Sequence, residues 1–180
     1  MVAIVQNSLV RISDSLALKT IIGSLLLFVM GQIAIPLEPV PITLHTVAVM
    51  LIGMTYDKKS AVSSVISYIL IGAMGAPVFH DFTSGIAILT GTSAGYLFGF
   101  IPAVYFMSSL RERFRPSILR DIAAGTLGTI AIFICGISVL TLFVGFESAI
   151  IYGLLPFIIS GAFKILMTAS LLGIYRHYVR

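Results

Sequence analysis

One lysine stands in the middle of an apolar run, PFIISGAFKILMTASLLG at residues 156–173. Lys164 lies about ten residues from either end of the helix this run predicts, roughly 15 Å of rise, whereas a lysine side chain reaches only about 6 Å. Snorkelling to the headgroups is therefore out of range. An ammonium facing lipid at mid-bilayer would cost about 2.5–3.5 kcal/mol on the lenient scale. The amine is expected to point inward, towards a partner or a polar cavity. No Asp or Glu is clearly intramembrane, so an internal salt bridge lacks an obvious second member. A ligand-facing role is the stronger reading; carbonyls exposed at Ser160 and Gly161, or a neutral buried amine, are the alternatives.

A second cluster is GTSAGYLFGF at residues 91–100. Gly91, Gly95 and Gly99 recur every four residues and predict one smooth stripe for close helix approach. The start of the same helix offers unpaired N–H groups beside the hydroxyls of Thr92 and Ser93, which suits a polar or anionic ligand group and is compatible with ordinary N-capping. GTSAG also fits the G-x-S-x-G nucleophile pattern. An intramembrane serine hydrolase using Ser93 is thus the alternative function, but it needs a base. Of the three histidines, His177 falls beyond the far end of the last helix, and neither His45 nor His80 sits in a recognisable base motif.

Two connections could cover a site from outside, IPLEPVPITLHT at 35–46 and GAPVFHDFTSG at 75–85. Pro36, Pro39 and Pro41 stiffen the first and withhold backbone donors, as a preformed lid requires. Phe79 and Phe82 in the second could close over a pocket. His45 and His80 read as hydrogen-bonded structural residues before metal ligands, because no HExxH, paired-Cys or carboxylate cluster accompanies them. No metal, cofactor or catalytic residue is assigned. The chain has no G-x-x-x-x-G-K-[ST] and is not expected to hydrolyse ATP itself.

These groups must be positioned by apolar elements. Of 180 residues, 58% are hydrophobic and 10% charged, against about 25% charged in a soluble domain. The reading is an all-α, polytopic membrane protein forming a single integral-membrane domain over residues 1–180. Its six transmembrane helices lie near 16–35, 43–55, 60–76, 93–110, 118–145 and 150–175. The first is read as a retained helix, not a cleaved signal. The second is short, about 20 Å against a core of about 30 Å, so the preceding irregular backbone must dip into the membrane. Cys135 is the sole cysteine, which excludes an intrachain disulfide and a Cys-based metal site.

Charge sets the orientation. Arg11, Lys19, Lys58, Lys59, Arg111, Arg113, Arg115, Arg120, Arg176 and Arg180 collect on the side of both termini, while the other side has Glu38, Asp81 and Glu147 and no Lys or Arg. The positive-inside rule makes both termini cytoplasmic. The net charge of +4 is accounted for by topology, so nucleic acid is not an expected partner. RERFRPSILR (111–120) is read as a topogenic loop, with contact to anionic lipid or a partner protein as the lesser alternative.

AIPLEPVPITLHTVAVMLIG, GAPVF, GTSAGYLFGFIPA and PFIISGAFK, in that order, resemble the BioY family, the biotin-binding S components of energy-coupling-factor vitamin transporters. The likeness runs from about residue 30 to 170 and is most specific in PVPIT and GYLFGF. It implies a protein of the bacterial cell membrane that captures biotin in an outward-facing pocket. It also implies partners in a transmembrane coupling subunit and two ATPase subunits, unless the protein acts alone. Lys164 matches a ligand-contacting lysine of the family. Thr92, Ser93 and Tyr96 are then expected to line the pocket, Thr43 and His45 to approach from the lid side, and Pro39, Pro41, Phe79 and His80 to form the lid. The chain departs from the family at Gly161, where Asp is usual, at His45, where Gln is usual, and at GTSAGY in place of GPTGGY. Its first helix also lacks the A-x-x-x-A pattern offered to the coupling subunit, with Leu27 four residues before Gly31.

Overall fold

Long runs of Leu, Ile, Val and Ala can satisfy their backbone in an apolar medium only through internal hydrogen bonds, which helices supply. The computed structural model describes residues 15–178, and these are helical apart from one short hairpin and the connections. The order is α1 (Leu16–Gly31), β1 (Ala34–Ile35), β2 (Ile42–Thr43), α2 (His45–Thr55), α3 (Lys58–Ala73), a single 3₁₀ turn (His80–Phe82), α4 (Ile86–Leu89), α5 (Ala94–Arg113), α6 (Ile118–Val144), α7 (Phe146–Gly153) and α8 (Leu155–Tyr178). Asp57 caps α3 by accepting from the Ser60 N–H, and Ser117 caps α6 by accepting from that of Arg120.

Among the described residues, two stretches are both long and apolar enough to cross a bilayer, Ile118–Val144 and Phe146–Tyr178. Leu16–Gly31 and His45–Thr55 are apolar but shorter. The segment expected as one helix near 150–175 is broken at Leu154 into α7 and α8. Pro156 stands in the first turn of α8, where its missing N–H costs nothing.

The broadest packing joins α5 to α6, followed by α1 to α3 and α2 to α5. Gly95 and Gly99 set the α5–α6 distance. A Cβ at Gly95 would overlap the Cys135 carbonyl oxygen, and one at Gly99 would stand 3.0 Å from the Ile132 Cα. The expected three-glycine stripe is therefore two glycines long. Gly91 precedes the helix, because α5 begins only at Ala94. On α1 the buried residues are Gly23, Leu27 and Gly31. Leu27 and Gly31 consequently face the protein's own interior, and the outer face carries Ile21, Ile22, Leu25 and Val29.

Candidate functional site

Lys164 sits in α8 with 6% of its surface exposed. Its Nζ donates to the Thr43 carbonyl at 2.7 Å and to Thr46 Oγ1 at 3.1 Å. The inward direction agrees with the expectation, but the partners come from a different place, from β2 and α2 and not from Ser160 and Gly161. The hairpin makes this possible. Ala34 pairs with Thr43 and Ile35 with Ile42, and the loop 36–41 between them contains Pro36, Pro39 and Pro41, which have no N–H to extend the ladder. An ammonium has three donors. Two are committed to protein oxygens, leaving one for another acceptor.

Thr43 is also the start of a buried polar chain. Its Oγ1 lies 2.9 Å from His45 Nδ1, His45 Nε2 lies 2.6 Å from Tyr68 Oη, and Tyr68 donates to the Val78 carbonyl at 3.0 Å. Because the single Tyr68 proton goes to Val78, His45 must donate from Nε2. His45 Nδ1 then accepts from Thr43, which fixes a neutral imidazole in one tautomer. A Cβ at Gly31 would overlap this ring, so glycine there is a condition of the arrangement.

Gln32, at the end of α1, fastens the second connection. Its Nε2 donates to the carbonyls of Phe79 at 2.9 Å and of Val78 and Phe28 at 3.3 Å, and its Oε1 accepts from the Phe82 N–H at 3.1 Å. Asp81 and Phe82 are held at φ 52° and 54°, a conformation that costs a non-glycine residue on the order of 1 kcal/mol or more. Gln32→Ala is expected to speed amide exchange across residues 78–83 at least tenfold while α5 and α6 stay protected. Hydrogen-exchange mass spectrometry reads this directly, and unchanged protection of 78–83 would refute the clamp.

Two cavities lie over this network. The inner one, about 50 Å³, is lined by Pro41, Thr43, His45, Phe79, His80, Ser93 and Tyr96 together with Val40, Ile88, Leu97 and Phe100. The outer one, about 540 Å³, is lined in part by Glu38, Pro39, Pro41, His80, Asp81, Thr92 and Ser93. Pro41, His80, Ile88 and Ser93 belong to both and form the wall between them. The residues expected at the site thus border one of the cavities, except Lys164, which reaches their wall through the Thr43 carbonyl, and Phe82, which lines neither and lies edge-on to Phe28.

Several of the polar groups among them already have protein partners. Thr92 Oγ1 donates to the Pro39 carbonyl at 3.0 Å, tying the first loop to the start of α5. Tyr96 donates to the Gly153 carbonyl at 2.9 Å and stacks on Phe157. Phe79 is buried, edge-on to Tyr68. His80 Nδ1 stands 3.4 Å from Asp81 Oδ2. Ser93 occupies the N-cap position of α5 without a side-chain capping bond. No histidine hydrogen-bonds to Ser93 among the described residues, and both nitrogens of His45 are committed elsewhere.

Sequence reasoning missed Gln32 and Tyr68. The available signal was Gln32 at the end of an otherwise apolar helix and a tyrosine hydroxyl within α3, since buried polar tips need partners.

A sequence profile of the BioY family matches residues 6–180. The chain belongs to the BioY family. It is 34% identical over 162 residues to a probable biotin transporter BioY of Rickettsia prowazekii, covering 90% of this chain and 84% of that one. It is 37% identical over 153 residues to the biotin transporter BioY of Thermotoga maritima, covering 84% and 90% respectively. Its fold matches the crystal structure of an S component for biotin from an ECF-type ABC transporter, with a TM-score of 0.76 and 22% identity over 95% of this chain and 93% of that one. These relatives are named as transporters and the shared fold is that of an S component, not of an enzyme. The hydrolase reading of Ser93 has no support from them.

Proposed function

We propose that this chain is a biotin-uptake protein of the cell membrane that takes the vitamin from the outer face. In this reading residues 1–180 form one membrane domain of six spans with both termini cytoplasmic. The loops 36–41 and 75–85 then face outward and cover the site. The observation that carries the proposal is the pair of cavities meeting at Pro41, His80, Ile88 and Ser93 in a chain of this family. The outer cavity falls within the range of about 300–1,000 Å³ typical of small-molecule sites, and the inner falls far below it. Biotin would enter by parting Pro39 and Pro41 from Phe79 and His80, enlarging the inner cavity. Thr43, His45, Thr92, Ser93 and Tyr96 would then line it, and the third Lys164 N–H would meet a polar group of the vitamin.

Energy would come from two ATPase subunits through a transmembrane coupling subunit, which must bind the inward-facing and outward-facing states differently. The large side chains on the outer face of α1 favour a coupling partner without the usual small-residue contact, or action alone.

The test is to purify the protein from cells given no extra vitamin, identify the small molecule it retains, and titrate biotin into the emptied protein. Biotin is expected to co-purify. Ser93→Ala should weaken binding by no more than about tenfold, since a neutral hydrogen bond contributes about 0.5–1.5 kcal/mol. Absence of biotin binding, or a peptidase activity abolished by Ser93→Ala, would overturn the reading.

A further inference from the structure

The junction of α5 and α6 holds a second candidate binding site, remote from the cavities just described. Here the chain alternates cations with large apolar residues, and the apolar ones are not covered: Phe114 is 56% exposed and Leu119 is 76% exposed. Between them opens a groove of about 480 Å³, lined by Leu110, Phe114, Leu119 and Ala123 and by the side chains of Arg115 and Arg120.

The two arginines are in different states. Arg120 is fixed: Nε and Nη2 donate to Asp121 Oδ1 at 3.0 and 2.7 Å, and Nη1 donates to the Phe114 carbonyl at 3.4 Å. Three of its five N–H groups are thereby used, and its guanidinium is held in place at the groove. Arg115 makes no hydrogen bond or ion pair with any described residue. The surroundings are positive: Arg111, Arg113, Arg115 and Arg120 lie in this stretch of chain with Glu112 and Asp121, Arg176 approaches Asp121, and Glu112 is paired with Lys58 at 3.1 Å.

We propose that this groove binds the phosphate headgroup of an anionic phospholipid. Arg115 closes on the phosphate oxygens beside the pre-positioned Arg120, and the acyl chain runs along Phe114, Leu110 and Leu119. Charge complementarity selects the headgroup, since a guanidinium matches phosphate geometry with paired donors. The exposed apolar rim selects a lipid over a free anion, because basic pockets between spans on the cytoplasmic side take anionic headgroups with the chains still in the bilayer. The proposal rests on the membrane reading of α5 and α6 and is independent of which solute the other site takes.

The test uses the full chain in neutral detergent, with dioleoyl phosphatidylglycerol or dioleoyl phosphatidylcholine added at equal concentration and retained lipid counted by native mass spectrometry. Phosphatidylglycerol should be retained several-fold more than phosphatidylcholine. Arg115→Gln should cut phosphatidylglycerol retention about fivefold and leave phosphatidylcholine unchanged, while Arg115→Lys keeps most of it. Lys59→Gln, which removes an exposed cation outside the groove, should have no effect. Equal retention of the two lipids overturns the site, as does equal loss in Arg115→Gln and Lys59→Gln. Competition by inorganic phosphate as effective as the lipid's own would assign a free anion instead. A protein captured at this face, with lipid retention indifferent to Arg115, would likewise overturn it.

Discussion

Lys164→Met is expected to weaken biotin binding by about 10- to 100-fold, the loss of one hydrogen bond to a charged group at about 1.5–3 kcal/mol. Methionine keeps most of the side-chain volume, so the change removes charge and donors without opening a large void. It also withdraws the Nζ partner of the Thr43 carbonyl, and a lower melting temperature is expected alongside the weaker affinity. Thr46→Val separates the two effects. It removes the 3.1 Å partner of Nζ but leaves the ammonium and its hold on Thr43, so affinity should change by less than about tenfold. Isothermal titration and thermal unfolding of the three proteins give both readouts. Affinity unchanged in Lys164→Met would remove Lys164 from the site.

Asp121→Ala should be the most destabilising of the substitutions considered, by about 3–5 kcal/mol, the cost of removing one member of a buried ion pair. Asp121 is fully buried in the first turn of α6. Its Oδ1 takes both contacts from Arg120, and its Oδ2 lies 2.6 Å from Arg176 Nη2 at the end of α8, an ion pair without hydrogen-bond angles. Without the carboxylate, the nearly buried Arg120 loses its partner and α8 loses its tie to α6. Arg176 is twelve residues beyond Lys164, roughly 18 Å along the helix, so protein that still folds should keep its biotin affinity. Asp121→Asn, which retains the shape, should lie between the two. A melting temperature of Asp121→Ala within about 2 °C of the parent would refute the assignment.

The position of Lys164 in its segment was enough to foresee that the amine turns inward, because neither its reach nor the hydrocarbon offers another solution. Its partner was not foreseeable. A backbone carbonyl carries no side-chain signature, and nothing in PVPITLHT distinguishes the Thr43 oxygen from its neighbours before the hairpin has formed. The short second helix was legible from the prolines ahead of it, and α2 does begin only at His45. The break at Leu154 was hidden, since GLLPF is apolar on both sides and hydropathy cannot register a change of direction. Gly91 looked equivalent to Gly95 and Gly99 because spacing alone does not say where a helix starts. Gln32 and Tyr68 escaped notice because each acts on a loop more than forty or about ten residues away, respectively, a separation that local pattern cannot span.

Under the proposed function, the Thr43 carbonyl held by Lys164 stands as a surrogate for a polar group of the cargo. A solute that meets Lys164 in this way would either share the ammonium with Thr43 or displace the peptide oxygen. Discrimination would then depend on the contest between two acceptors at one cation, and a vitamin analogue lacking a competent oxygen would leave the native contact undisturbed.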